Sequence, residues 1–248
     1  MSGHSHAKTI KREKNITDQK RGQVFSKMAR VISVAVREGG PNPETNSKLR
    51  LAFEMAKEAN MPKDNIERAI KRGAGQEPSG EQLEGVIFEA YGPGGTAMII
   101  EGITDNRKRT QGEIKQILSR GGGKLVGEGS VKWMFERKGC ITINFQLLIS
   151  NSQFKNKEEL EIAVIEAGAE DIYWREELLD VYTKPDELEK VKRNLEEKGI
   201  QTESASLDWV AREEVPVEEN IKETCRGLFE ALDENDAVQE IYSNIKLP

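Results

Sequence analysis

The residues whose types and spacing could do chemistry are mostly cations. Lys8, Lys11, Arg12, Lys14, Lys20, Arg21, Lys27 and Arg30 crowd the start of the chain, and Lys63, Arg68, Lys71 and Arg72 follow on one short stretch. Residues 1–80 hold 16 Lys and Arg against 9 Asp and Glu, a net of +7, within a 248-residue chain whose net charge is −6. The remaining 168 residues therefore carry −13. Cations set against a polyanion release its counterions, and each phosphate contact adds a salt-dependent share of affinity. A solvated face would carry the same charges, and Lys71 and Arg72, in the last turn of a helix, would be favoured there by the dipole alone. Their concentration inside an acidic chain is what points to nucleic acid. Only Phe25 and Phe53 could stack here, and both fall on core stripes, so backbone or shape recognition is expected over base readout.

A second cationic run, Asp105-Asn106-Arg107-Lys108-Arg109-Thr110, joins a strand to a helix start, where unpaired backbone NH groups already favour anions. Arg107 and Arg109 are its candidate phosphate contacts; a merely polar loop would look similar. The tip Gly92-Pro93-Gly94-Gly95 could approach a partner closely, although turn geometry explains its glycines. His4 and His6, the only histidines, lack Cys or carboxylate partners at ligand spacing, so no metal site is expected. Cys140 and Cys225 are far apart, and Cys225 lies on an apolar helical stripe with Ile221, Leu228 and Leu232, the setting of a buried inert thiol. Neither a nucleophile elbow, a P-loop nor a dinucleotide fingerprint is present, and Gly121-Gly122-Gly123 follows a helix instead of opening one. No catalytic residue, cofactor or small-molecule substrate is signalled. A non-enzymatic protein is expected.

The elements that must position these groups are legible from periodicity. Phe25, Met28, Ala29, Ile32, Ala35 and Val36 make an amphipathic helix stopped by Gly39-Gly40-Pro41. Asn46 caps a second helix with Leu49, Ala52, Phe53 and Ala56 inward; Pro62 opens a third, with Ile66, Ala69 and Ile70, that ends at Gly73. Beyond a Gly/Pro/Ser linker the period changes to two, and residues 86–91 and 96–104 form a hairpin about a type II turn. Thr110 and Glu113 make a capping box for the next helix, and Val131, Trp133 and Phe135 alternate as a further strand. From Gly139 to Leu207 the order is βαββαβ, ferredoxin-like, with Pro185 opening its second helix. The last helix and strand are too little to fold alone.

The fold class expected is therefore α+β and multidomain: a three-helix bundle behind a basic arm and before a linker (1–80), a discontinuous α/β middle domain (81–136 plus 209–248), and a ferredoxin-like domain inserted into it (137–208). With 36% hydrophobic and 32% charged residues, and no apolar run of about 18–20 residues, the chain is not expected to enter a membrane. The first residues lack signal-peptide features, so the cytoplasm is the expected compartment.

Several longer motifs carry a resemblance. Met1-Ser2-Gly3-His4-Ser5, Lys20-Arg21, Asn60-Met61-Pro62-Lys63-Asp64-Asn65-Ile66, Arg68-Ala69-Ile70-Lys71-Arg72-Gly73, Tyr91-Gly92-Pro93-Gly94-Gly95, Thr104-Asp105-Asn106-Arg107, Gly129-Ser130-Val131 with Trp133-Met134-Phe135, and Ala167-Gly168-Ala169-Glu170-Asp171 closely resemble the YebC family. The match covers nearly the whole chain. It implies the same three-domain fold and a cytoplasmic, non-enzymatic protein. Family members are described as DNA-binding transcriptional regulators, mitochondrial relatives as translational activators, and some bacterial members as acting on stalled ribosomes. Two departures stand out. His6 and Ala7 replace the usual Lys and Trp of the arm, and residues 146–156 are longer and less acidic than usual.

Three readings compete. A transcriptional regulator would hold duplex DNA with the basic bundle; a translation factor would set the same cations on ribosomal RNA; a hydrolase would need a dense carboxylate or His/Cys constellation that the sequence does not show. Nucleic-acid binding for control of gene expression is the reading taken, with a monomer as the default state. The lack of a reading helix of helix-turn-helix type favours RNA on physical grounds.

Overall fold

The computed structural model describes residues 18–76, 83–150 and 154–246, with backbone alone at residues 18–21 and at Ser150. The arm, with Lys8, Lys11, Arg12 and Lys14, and both histidines lie outside these residues. So do the side chains of Lys20 and Arg21.

Three helices come first: α1 (Asp18–Gly39), α2 (Ser47–Glu58) and α3 (Lys63–Gly73). Their inward stripes meet in one core of Met28, Ile32, Val36, Leu49, Ala52 and Ala69 among others. Asn46 caps α2 as expected, accepting from Leu49 N at 3.1 Å, and its amide also donates to Ala35 O at 2.7 Å. One side chain thus closes a helix and ties it to its neighbour. Gly73 ends α3 where no other residue fits, because a Cβ there would lie 2.4 Å from the Ser33 carbonyl oxygen.

The hairpin β1 (Glu84–Tyr91) and β2 (Ala97–Thr104) follows, then α4 (Arg107–Arg120) and β3 (Lys124–Val126). Strand β4 (Phe135–Asn144) leads through the short α5 (Phe145–Ser150) to α6 (Lys157–Ala167), β5 (Asp171–Arg175), β6 (Leu178–Thr183), α7 (Leu188–Glu197) and β7 (Ser204–Ala211). The chain ends with α8 (Glu219–Asp233) and β8 (Val238–Ser243).

These strands make two four-stranded antiparallel sheets, ordered β3-β1-β2-β8 and β5-β6-β4-β7. The second order is that of a ferredoxin-like βαββαβ unit. In the first, β8 returns from the end of the chain to pair with β2, and α4 and α8 cover one face over Phe88, Ile100, Ile114, Leu118, Leu228 and Leu232. Cys225 is fully buried in that core, and burial pushes its thiol up from the usual range. Among the described residues no helix is long and apolar enough to cross a membrane.

Three local expectations are corrected, and one turn is as expected. Thr110 does not cap α4: the cap is Asn106, whose side chain accepts from Arg109 N at 3.0 Å, while the Thr110 hydroxyl lies 2.8 Å from that of Thr104. The alternation Val131, Trp133, Phe135 is no strand, because Lys132–Met134 is a 3-10 turn and β4 begins only at Phe135. The expected type II turn closes the hairpin: Pro93 takes its second position, Gly94 its third at φ 69 and ψ 11, and Gly95 N donates to Gly92 O at 3.1 Å. Finally, α7 starts at Leu188, one turn beyond Pro185.

Candidate nucleic-acid interface

Helix α3 owes its outward charge to its own pattern. Pro62 presets the entry, Ala69 is buried, Ile66 and Ile70 pack partly against the bundle core, and this turns Lys63, Arg68 and Lys71 to solvent. Lys63 reaches a carboxylate only at 3.7 Å, on Glu67 one turn along, and its side chain stays 87% exposed. The Ser33 hydroxyl donates to Ala69 O at 2.9 Å, binding α3 to α1. Between the two helices runs a groove of about 350 Å³, edged by Gly22, Phe25 and Ser26 on α1 and by Asn65, Arg68 and Arg72 on α3. The fold thus joins a concave surface to the cations that sequence had placed on α3.

Two cations of α1 are engaged elsewhere. Lys27, an expected phosphate contact, is 3% exposed, and its Nζ donates to Asp233 O at 2.6 Å and Asp233 Oδ1 at 2.8 Å, at the end of α8. Its charge balances a helix C-terminus and a carboxylate inside the protein. Arg30 is half-buried and donates through one guanidinium nitrogen to Ile103 O at 3.1 Å. Both residues pin the bundle to the first sheet and α8; Lys27 is spent on a carboxylate, whereas the Arg30 partner is a neutral carbonyl that leaves its charge unpaired by this bond.

The second candidate run sits just past that pin, where β2 ends. The Thr104 hydroxyl accepts from Asn106 N at 2.9 Å, fixing the turn into α4. Arg107 and Lys108 stand exposed at its first turn, but Arg109 is ion-paired with Asp105. Slight burial works upward on the Asp105 carboxyl; its own backbone NH, then Arg109 and the Thr104 hydroxyl, outweigh this and hold it below the usual carboxylate range. The cationic face of this turn is therefore partly neutralised.

Sequence reasoning passed over Glu89. Register sets it opposite Val126 at the end of β3, so its buried carboxylate accepts from the backbone NH groups of Gly129, Val131 and Lys132 at 2.7, 2.7 and 2.9 Å. Burial pushes the carboxyl upward and these three donors outweigh it, holding it below its ordinary value. The result is a fixed loop that presents Trp133, 66% exposed, with its indole NH donating to Ser130 O at 3.1 Å. An acid within a strand was the only sequence signal. Its partners lie about forty residues away.

Among the described residues no group of three or more His, Cys, Asp or Glu is placed to hold a metal ion. Comparison with known proteins gives two family-model matches: the TACO1/YebC protein N-terminal domain over residues 5–76, and the TACO1/YebC second and third domain over residues 83–245. A protein of Halothermothrix orenii named "Probable transcriptional regulatory protein" is 45% identical, over 100% of this chain and 96% of its own. One of the same name from Pseudothermotoga lettingae is 46% identical, over 100% and 94%. The crystal structure of a conserved hypothetical protein from Aquifex aeolicus superposes with a TM-score of 0.82 at 45% identity, covering 93% of this chain and 92% of that one.

Proposed function

Because this chain belongs to the TACO1/YebC family, we propose that it is a nucleic-acid-binding regulator of gene expression that works in the cytoplasm without catalysing a reaction. The name its relatives carry, transcriptional regulatory protein, supports DNA as the target. One observation carries the reading: Lys63, Arg68 and Lys71 stand exposed along one helix, beside a groove whose wall includes Arg72. In this reading Lys8, Lys11, Arg12, Lys14, Lys20 and Arg21 extend the surface along the arm and the first turn of α1. Arg107 supplies a further contact, and Arg109 does so where phosphate displaces Asp105.

The division of labour follows the proposed domains. Residues 1–80 bind, while residues 81–136 with 209–248, and the inserted 137–208, hold the bundle in place and turn acidic faces away from the polyanion. A second reading, ribosomal RNA as target, is favoured by the confined shape of the groove, which suits looped strands better than a duplex.

The test is ultraviolet crosslinking in the protein's own cells with sequencing of both the DNA and the RNA recovered. Enrichment of discrete promoter DNA over a ribosomal RNA background is the expected result for a regulator. Enrichment of one ribosomal RNA region would make the protein a translation factor, and recovery of neither nucleic acid above background would overturn the proposal.

A further inference from the structure

Gly22 is the fifth residue of α1, at the end of its first turn. Glycine is the poorest helix former after proline, so an interior glycine calls for a reason. Packing supplies one at Gly73, where a Cβ would collide with Ser33. At Gly22 it supplies none: among the described residues a Cβ would meet nothing within 4 Å. The open space is the groove itself. Ser26 and Ala29 continue the same face of α1 at the i+4 and i+7 positions. One wall is therefore smooth and small, with Phe25 beside it. The opposite wall, on α3, is made by Asn65, Arg68 and Arg72.

Size narrows the ligand. At about 350 Å³ the groove falls at the low end of the roughly 300–1,000 Å³ typical of small-molecule sites. A duplex admits a protein helix into its major groove; here the recess is in the protein, so what enters must be a single unit detached from its stack. Unstacked bases are held by aromatic side chains and planar guanidinium groups, with cations tracking the backbone. All of these residue types line this recess.

We propose that the α1–α3 groove takes one unstacked nucleotide of a single strand, its base against Phe25 and the small-residue face of α1, its edge toward Asn65, and its phosphate on the exposed Arg68. The proposal rests on the second reading above, a looped RNA strand as target, and says how one of its nucleotides is held. The open position at Gly22 leaves room for this approach.

The experiment uses the full chain and a fluorescein-labelled 12-nucleotide single-stranded RNA, with its perfect duplex as the comparison, read by fluorescence anisotropy. Wild type is expected to bind the single strand at least tenfold more tightly than the duplex. Gly22→Leu fills open space on a helix, so its melting temperature should equal or exceed that of wild type, while single-strand affinity falls about tenfold. Ser26→Leu, at an exposed position one turn on, should do the same and stands in if Gly22→Leu does not fold. Crosslinking from a 4-thiouridine in the strand to residues 22–26 should disappear in both variants. Wild-type affinity and crosslinking in a folded leucine variant would overturn the groove proposal. Equal binding of duplex and single strand, lost together on Lys63, Arg68 and Lys71→Glu, would also overturn it and leave the nucleic-acid reading standing. Failure of wild type to bind either probe would remove both. Binding of an amphipathic helical peptide at the groove, blocked by Gly22→Leu while RNA binding persists, would make it a protein-docking site instead.

Discussion

Helix α3 and the ferredoxin-like unit differ in how their cations are engaged. In the unit built on β4 to β7, Lys138, Lys157, Arg175, Lys190, Lys192 and Lys198 each reach a carboxylate, from the Arg175 pair with buried Asp180 to Lys192 on Glu54 of α2. Lys157 also lies over the ring of Trp174 at 4.4 Å. On α3, Arg68 and Lys71 stand exposed and Lys63 is only loosely paired. Cations already engaged gain little from a phosphate, since the new contact must replace an old one, whereas solvated cations can exchange water and counterions directly. What separates a binding face from an ordinary charged face is thus the company its cations keep, more than their number.

The largest effect that could break this contrast comes from charge reversal. Lys63, Arg68 and Lys71→Glu together should weaken RNA or DNA binding at least a hundredfold at low salt and lower the slope of log K against log salt by about 2. Lys157, Lys190 and Lys198→Glu, three cations of the ferredoxin-like unit that already face a carboxylate, should leave the slope unchanged. Equal losses in the two triples, measured by anisotropy titration at several salt concentrations, would erase the distinction.

Lys27 sharpens it from within the bundle. Lys27→Met removes a buried cation from Asp233, whose side chain is 21% exposed, and is expected to cost about 2–3 kcal/mol in denaturant unfolding. The salt slope of binding should stay that of wild type. A slope reduced by about 1 with stability unchanged would return Lys27 to the ligand surface.

The smallest effect concerns Glu89, which rigidifies a loop and binds nothing in this scheme. Glu89→Gln should cost about 1–2 kcal/mol at neutral pH, because one charged acceptor of three NH groups becomes a neutral one. Its pH dependence has a definite sign. The folded carboxyl titrates below its unfolded value, so its contribution is present above the unfolded value of roughly 4.3 and disappears as pH falls through the lower folded one. The gap between wild type and Glu89→Gln should therefore narrow on acidification, and a gap that widens below pH 4 would contradict this account. Nucleic-acid affinity at pH 7 should not change.

Much of the architecture could be read along the chain, because caps and periodicity are local signals. Asn46 and Gly73 bound their helices where expected, and the βαββαβ order follows from alternation and glycine stops between Gly139 and Leu207. Local signals misled where a tertiary partner outbid them. The Thr110 hydroxyl lies against Thr104 instead of capping a helix, and the alternation at Val131 to Phe135 gives way to a turn because Glu89 gathers the backbone NH groups there.

For the candidate site, sequence alone determined that positive charge concentrates in residues 1–80 and that α3 carries it outward, since composition and helical period are properties of neighbours along the chain. Tertiary structure alone decided which cations have other employment. Lys27 meets Asp233 across 206 residues of sequence, and Arg30 meets Ile103 across 73. The groove beside Gly22 was equally invisible, because an empty volume belongs to two packed helices and not to either one. Charge can be counted from a sequence, but burial and concavity arise only when distant surfaces come together.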